Sequence, residues 1–149
     1  MTYENPWYFN DKPFETEDIE KFQGFVYLII NELNDKKYIG RKYFYNVRKK
    51  KNKSRRVRTE SNWKEYYGSS DTLSADIEEY GKNNFKRYIL SLHTTRGDTN
   101  YEEVKQQFLQ NVLETEGWYN SNINAKWQKK PTHIVEGRRY SEILTNKNL

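Results

Sequence analysis

The chain has 149 residues, of which 34% are apolar, 32% charged and 16% aromatic, a composition that suits one small, polar domain with a modest core. It carries no cysteine and only two histidines, which excludes a disulfide framework, a thiolate zinc site and a histidine-based one. A net charge of +5, no leader-like N-terminus and no apolar run long enough for a bilayer point to a soluble, cytoplasmic protein without a membrane partner.

Residues 1–23 combine Pro6, Trp7, Tyr8, Phe9, Pro13 and Phe14 with the acids Glu15, Glu17, Asp18 and Glu20, and read as an aromatic arm packed by its rings. Any short helix there begins near Thr16. Phe25 to Ile30 is a continuous run of β-formers, as expected of a strand buried on both faces. Asn31 to Lys36 supplies a polar turn, and Lys37 to Lys42 returns as the antiparallel partner. Tyr27 and Tyr38 then stand on adjacent strands, where cross-strand neighbours converge.

Glu60 to Ser70 is a polar and aromatic patch ending in a turn. Ser70 or Asp71 can cap a helix with Leu73, Ile77 and Tyr80 at helical spacing, stopped by Gly81. Phe85 to Leu92 reads as a third strand, Thr94 to Thr99 as a loop, and a helix is expected from Asn100 or Tyr101 towards Leu113 with Val104, Phe108 and Val112 on one face. Gly117 to Asn120 ends it. The fold class is α/β (α+β), a small three-stranded antiparallel sheet flanked by helices, comprising residues 24–124 between the arm and a basic C-terminal tail of residues 125–149.

Charge is concentrated rather than spread. Between residues 41 and 58 stand Arg41, Lys42, Arg48, Lys49, Lys50, Lys51, Lys53, Arg55, Arg56 and Arg58 with no acid, so this basic insert carries +10 and the remainder of the chain −5. Beside Tyr43, Phe44 and Tyr45 it has the electrostatic footprint expected for a phosphate backbone. A solvated basic loop or a localisation-type basic cluster explains the composition at least as well.

Val26-Tyr27, followed by Tyr38-Ile39-Gly40 with the two tyrosines eleven positions apart, resembles the signature of the GIY-YIG nucleases. Phe25 stands where the first glycine of that signature usually is. Glu60-Ser61-Asn62-Trp63, Tyr66-Tyr67-Gly68-Ser69-Ser70 and residues 77–84 are similar to phage-type members, so the likeness spans about residues 24–124.

The resemblance implies roles residue by residue. Tyr27 is then the phenol near the attacking water, a general base or its relay, and Tyr38 the phenol near the scissile phosphate. Arg48, eight residues beyond Gly40, takes the place of the phosphate-binding arginine, with Arg41, Arg55, Arg56 and Arg58 as neighbouring competitors. Asn52 stands where many members have a histidine. The metal ligand of the family is a glutamate on the helix after the third strand; Glu103 is favoured, with Glu102 beside it as the alternative and a stricter spacing falling on Lys105. Asn120 matches the closing asparagine.

Taken together, the resemblance implies a metal-dependent DNA endonuclease that hydrolyses phosphodiester bonds through one Mg²⁺ (or Mn²⁺) ion. DNA is the expected partner, and a homodimer is expected where both strands are cut. The main rival reading is an inactive nucleic-acid-binding module of the same fold, and the second is a structural or protein-interaction domain with the aromatic arm as its surface. The two histidines, His93 and His133, show no ligand spacing and are read as incidental.

Overall fold

The computed structural model describes residues 3–49 and 56–129. The elements in chain order are β1 (Trp7–Phe9), β2 (Lys12–Pro13), β3 (Gly24–Asn31), β4 (Lys37–Tyr43), β5 (Tyr45–Lys49), β6 (Arg56–Glu60), α1 (Asp71–Tyr80), β7 (Phe85–His93), α2 (Arg96–Leu109), β8 (Asn122–Ile123) and β9 (Trp127–Gln128). One sheet in the order β2-β1-β7-β3-β4 is joined by two separate hairpins, β5-β6 and β8-β9.

The run from Phe25 to Ile30 forms the inner strand β3, antiparallel to both β4 and β7. Its residues alternate between two cores. Phe25, Tyr27 and Ile29 meet Trp7, Phe44, Trp63 and Leu73 on one face, while Val26 joins Ile39, Val112, Leu113 and Ile123 on the other. A strand apolar on both faces is the pattern expected where each face is covered. The first helix also forms as its sequence dictates: Ser70 accepts a hydrogen bond from the Leu73 N–H at 3.3 Å, and Gly81 ends the helix at φ +89°.

The sheet has five strands, not the expected three. The aromatic arm supplies the difference, because β1 pairs parallel to β7 and β2 folds back on β1 at the edge. Strands of two or three residues are too short to show a period. The arm is bound by burial: Trp7 has no exposed surface, and its indole N–H donates to the Trp63 carbonyl at 2.7 Å. Arg87 on β7 is also wholly buried; it donates to the carbonyls of Asn5 and, at 2.7 Å, of Tyr66, and its guanidinium lies 4.6 Å from the Trp7 ring and 4.1 Å from that of Tyr67.

Two further readings are corrected. Part of the basic insert is a hairpin, with Val47 opposite Arg58 and Tyr45 opposite Glu60; its charges hide a strand whose outward positions are all polar. α2 begins at Arg96, four residues before the expected start, because Thr95 accepts from the Asp98 N–H at 3.0 Å and caps it. The helix ends at Leu109, so Val112 lies beyond it, and Phe108 is exposed. The buried positions of α2 are instead Thr99 and Gln107, eight residues apart with Glu103 midway.

Arg87→Met leaves two carbonyls without their donors and removes the cation stacked between two rings. Destabilisation of about 2–4 kcal/mol is expected from such a loss, read as a lowered urea midpoint with an unchanged m-value.

Candidate active site

Tyr27 stands directly across from Gly40 in the β3–β4 pairing, so both project to the same face of the sheet. Because Gly40 has no side chain, the Tyr27 ring lies across β4 and its hydroxyl reaches the sheet edge. A Cβ at position 40 would come within 2.6 Å of Tyr27 Cζ and 2.9 Å of Tyr38 Cε2. The two tyrosine rings are 6.1 Å apart. Tyr38 OH shares a hydrogen bond of 3.3 Å with Ser69 Oγ, and the Tyr66 ring stands edge-on to Tyr27 at 6.0 Å.

The other wall comes from α2. Gly24 permits its close approach, since a Cβ there would meet Thr99 Oγ1 at 2.8 Å. Glu103, one turn beyond Thr99, then faces the edge of β4 and pairs with Arg41 at 2.6 Å, the one ion pair among the described residues. Gln107, a further turn on, donates to the Ile39 carbonyl at 3.0 Å.

Asn120 is buried and holds both polar groups of Ile39. Its Oδ1 accepts from the Ile39 N–H at 3.1 Å, and its Nδ2 donates to the Ile39 carbonyl at 2.8 Å. Around it, residues 117–119 follow β4, with Lys37 N–H donating to Gly117 O and Tyr119 N–H to Lys37 O. This segment closes the first half of an edge that would otherwise offer unpaired backbone groups. The second half, from Gly40 onwards, borders an open groove of ≈ 380 Å³ lined by Tyr27, Tyr38, Arg41, Lys42, Tyr66 and Glu103, and extending to Tyr43, Tyr45, Asn46 and Arg96.

Burial sets the protonation of these groups. It raises the Tyr27 phenol well above its usual value, helped by neighbouring Tyr38 and Tyr66, and it raises Tyr38 against the lowering effect of the Ser69 hydroxyl. Both phenols are neutral at ordinary pH, so they exchange protons as O–H groups rather than as standing phenolates. Burial also lifts the Glu103 carboxyl, and Arg41 opposes that rise. For Arg41 burial works against the charge, but Glu103 and Tyr43 outweigh it and the net shift is upward.

Among the carboxylates, Glu103 lines the groove, whereas Glu102 accepts from the Gln106 amide at 2.7 Å and does not. No group of three or more histidine, cysteine or acidic side chains suited to a metal occurs among the described residues. Glu103 is the carboxylate that could hold a hard divalent cation at the groove, with the phenol oxygens as the other hard donors there.

Arg48 is brought to β5 but not into the groove, and its side chain is exposed. Arg58 stacks on Tyr45 at 4.0 Å, and Lys42 lies over the Tyr66 ring at 4.2 Å. Lys50, Lys51, Lys53 and Arg55 lie outside the described residues, as does the tail from residue 130; Lys49 and Arg56 belong to β5 and β6 by backbone. Among the groove residues that the sequence reading does not assign to the site are Tyr66, Tyr43, Tyr45, Asn46 and Arg96. The doublet Tyr66-Tyr67 before a glycine carried a signal, while Arg96 was obscured by reading its helical turn as a loop.

The family model described as "Putative endonuclease segE, GIY-YIG domain" matches residues 7–123. No curated protein and no solved structure matches the chain. The matched span takes in β1, in keeping with an arm that is part of the sheet.

Gly40→Ala tests how the first phenol reaches the groove. The added methyl displaces the Tyr27 ring at a cost of about 1–3 kcal/mol; the expected result is a modest fall in melting temperature with a large loss of any nuclease activity, and full activity would show that the ring has another route.

Proposed function

This chain belongs to the GIY-YIG endonuclease family, and we propose that it hydrolyses DNA phosphodiester bonds in the groove at the edge of β4 with one divalent cation, Mg²⁺ or Mn²⁺. The observation that carries this reading is the convergence of Tyr27, Tyr38, Arg41 and Glu103 on one opening, although they come from three different elements.

Phosphodiester hydrolysis needs an oriented water, compensation for charge growing on the non-bridging oxygens, and a proton for the leaving alkoxide. Tyr27 OH, fixed at the sheet edge above Gly40, suits the first task as acceptor and relay. Tyr38 OH is the more open of the two and, turned from Ser69, can donate to a phosphate oxygen. Glu103 would hold the cation, which when bound supplies Lewis-acid charge to the phosphate. Arg41 rests on Glu103 and, on releasing it, offers a planar fork to the phosphate. Arg48 follows Asn46, a groove residue, at the next position on the same side of β5, and is the second candidate for that task.

Asn120 takes no direct part in this scheme. Its hydrogen bonds to Ile39 hold the peptide between Tyr38 and Gly40, so it positions both phenols through the backbone. The basic insert, with Arg58 among its described residues, would follow the DNA backbone. Cutting both strands at once then takes two copies, because one such site acts on one strand.

The test is cleavage of plasmid DNA with and without Mg²⁺. Glu103→Gln and Tyr27→Phe are each expected to lower the rate by about a hundredfold or more while retaining gel retardation of the DNA. Parallel Arg41→Ala and Arg48→Ala variants show which arginine serves the phosphate. Retarded but intact plasmid with the unaltered protein, under Mg²⁺ and Mn²⁺ alike, would favour the binding module instead.

A further inference from the structure

The lining of the groove continues past the groups used above to a second end, seven residues back along α2 from Glu103, where Arg96 stands with Tyr43 and Tyr45. Arg96 lies in the first turn of α2, its guanidinium 4.2 Å from the Tyr43 ring, and Nη2 donates to the Tyr45 carbonyl at 2.8 Å. Unlike Arg41, it has no carboxylate within ion-pair distance among the described residues. Most of its N–H groups therefore remain for a ligand.

We propose that Arg96, braced on Tyr43 and Tyr45, is a second phosphate subsite that holds the nucleic-acid strand next to the bond being cut. The proposal rests on the nuclease reading of this groove and adds a contact that neither the signature tyrosines nor the basic hairpin supplies. Arg96 and Glu103 are seven residues apart on one helix, a rise of about 10 Å. That is a span covered by one or two nucleotides of a strand, so a phosphate held beside Glu103 by Tyr38 and Arg41 places a neighbour near Arg96. The Tyr43 ring keeps the fork flat and charged without neutralising it, because a ring face attracts a cation but, unlike a carboxylate, carries no net charge. Arg58, stacked on Tyr45 at 4.0 Å, adds a second cation at that end.

The purely structural alternative is that Arg96 only ties the start of β5 to α2. A duplex spanning a mapped cleavage site, carrying one uncharged methylphosphonate linkage moved position by position, separates the two. Binding of the unaltered protein and of Arg96→Gln is measured over a salt series without divalent cation. The subsite predicts roughly tenfold weaker binding for Arg96→Gln and a salt slope smaller by about one. It also predicts that sensitivity to the neutral linkage disappears at one position beside the cut and persists at the cut itself. Arg96→Lys keeps the charge and should keep most of the slope. An unchanged slope and linkage pattern overturns the subsite, and so does a lowered melting temperature with sensitivity lost at every linkage. If the unaltered protein cuts no DNA, the nuclease reading fails and the subsite falls with it; if it cuts normally and only the Arg96 pattern is absent, the subsite alone is wrong.

Discussion

The absence of a side chain at Gly40 is the constraint on which the site depends. Tyr27 belongs to an inner strand and is 1% exposed, a position from which a side chain ordinarily serves packing alone. The ring can reach the sheet edge only because its cross-strand neighbour leaves the surface of β4 bare. The same strand alternation sends Tyr38 and Lys42 to that face and Arg41 and Tyr43 to the other. One edge thereby gathers groups from both sides of the sheet, and the groove wraps round it.

An edge strand used in this way must be held firmly. Unpaired N–H and C=O groups invite another chain or water, and a strand free to shift would carry both phenols with it. Asn120 and Gln107 meet that need at Ile39, where three side-chain hydrogen bonds occupy a single residue's backbone. The polar inner face of α2 belongs to the same logic. Thr99 approaches the sheet closely at Gly24, and Thr99, Glu103 and Gln107 each have a polar partner, although Gln107 Oε1 is buried without one.

Strong local signals made the centre of this fold legible in the sequence. β3, β4 and α1 announce themselves through a continuous apolar run, a turn rich in Asn and Asp, and a cap with a glycine stop. The paired tyrosines are readable for the same reason, because register is set once the hairpin is placed. The arm was not legible as sheet, since Trp7 and Tyr8 pair with residues some eighty positions away and no local pattern encodes that contact. α2 misled in a more instructive way. Its apolar spacing at Val104 and Phe108 describes a face that is partly or largely solvent-exposed, while the face turned to the protein is polar because it borders a site. A hydrophobic period locates a core, and here the buried positions of the helix, Thr99 and Gln107, are polar.

The handling of charge around the groove obeys a related principle. An arginine beside a carboxylate is stabilised but partly spent, as Arg41 is on Glu103. An arginine or lysine over a ring is held in place by a group that carries no net charge of its own. Lys42 over Tyr66, Arg96 over Tyr43 and Arg58 over Tyr45 are all of the second kind. The aromatic richness of the sequence therefore serves two ends. Rings inside the sheet fill the core, and rings along the groove hold cations in place. Acids at those positions would fix the same cations more tightly, but they would cancel the charge that a ring leaves in place.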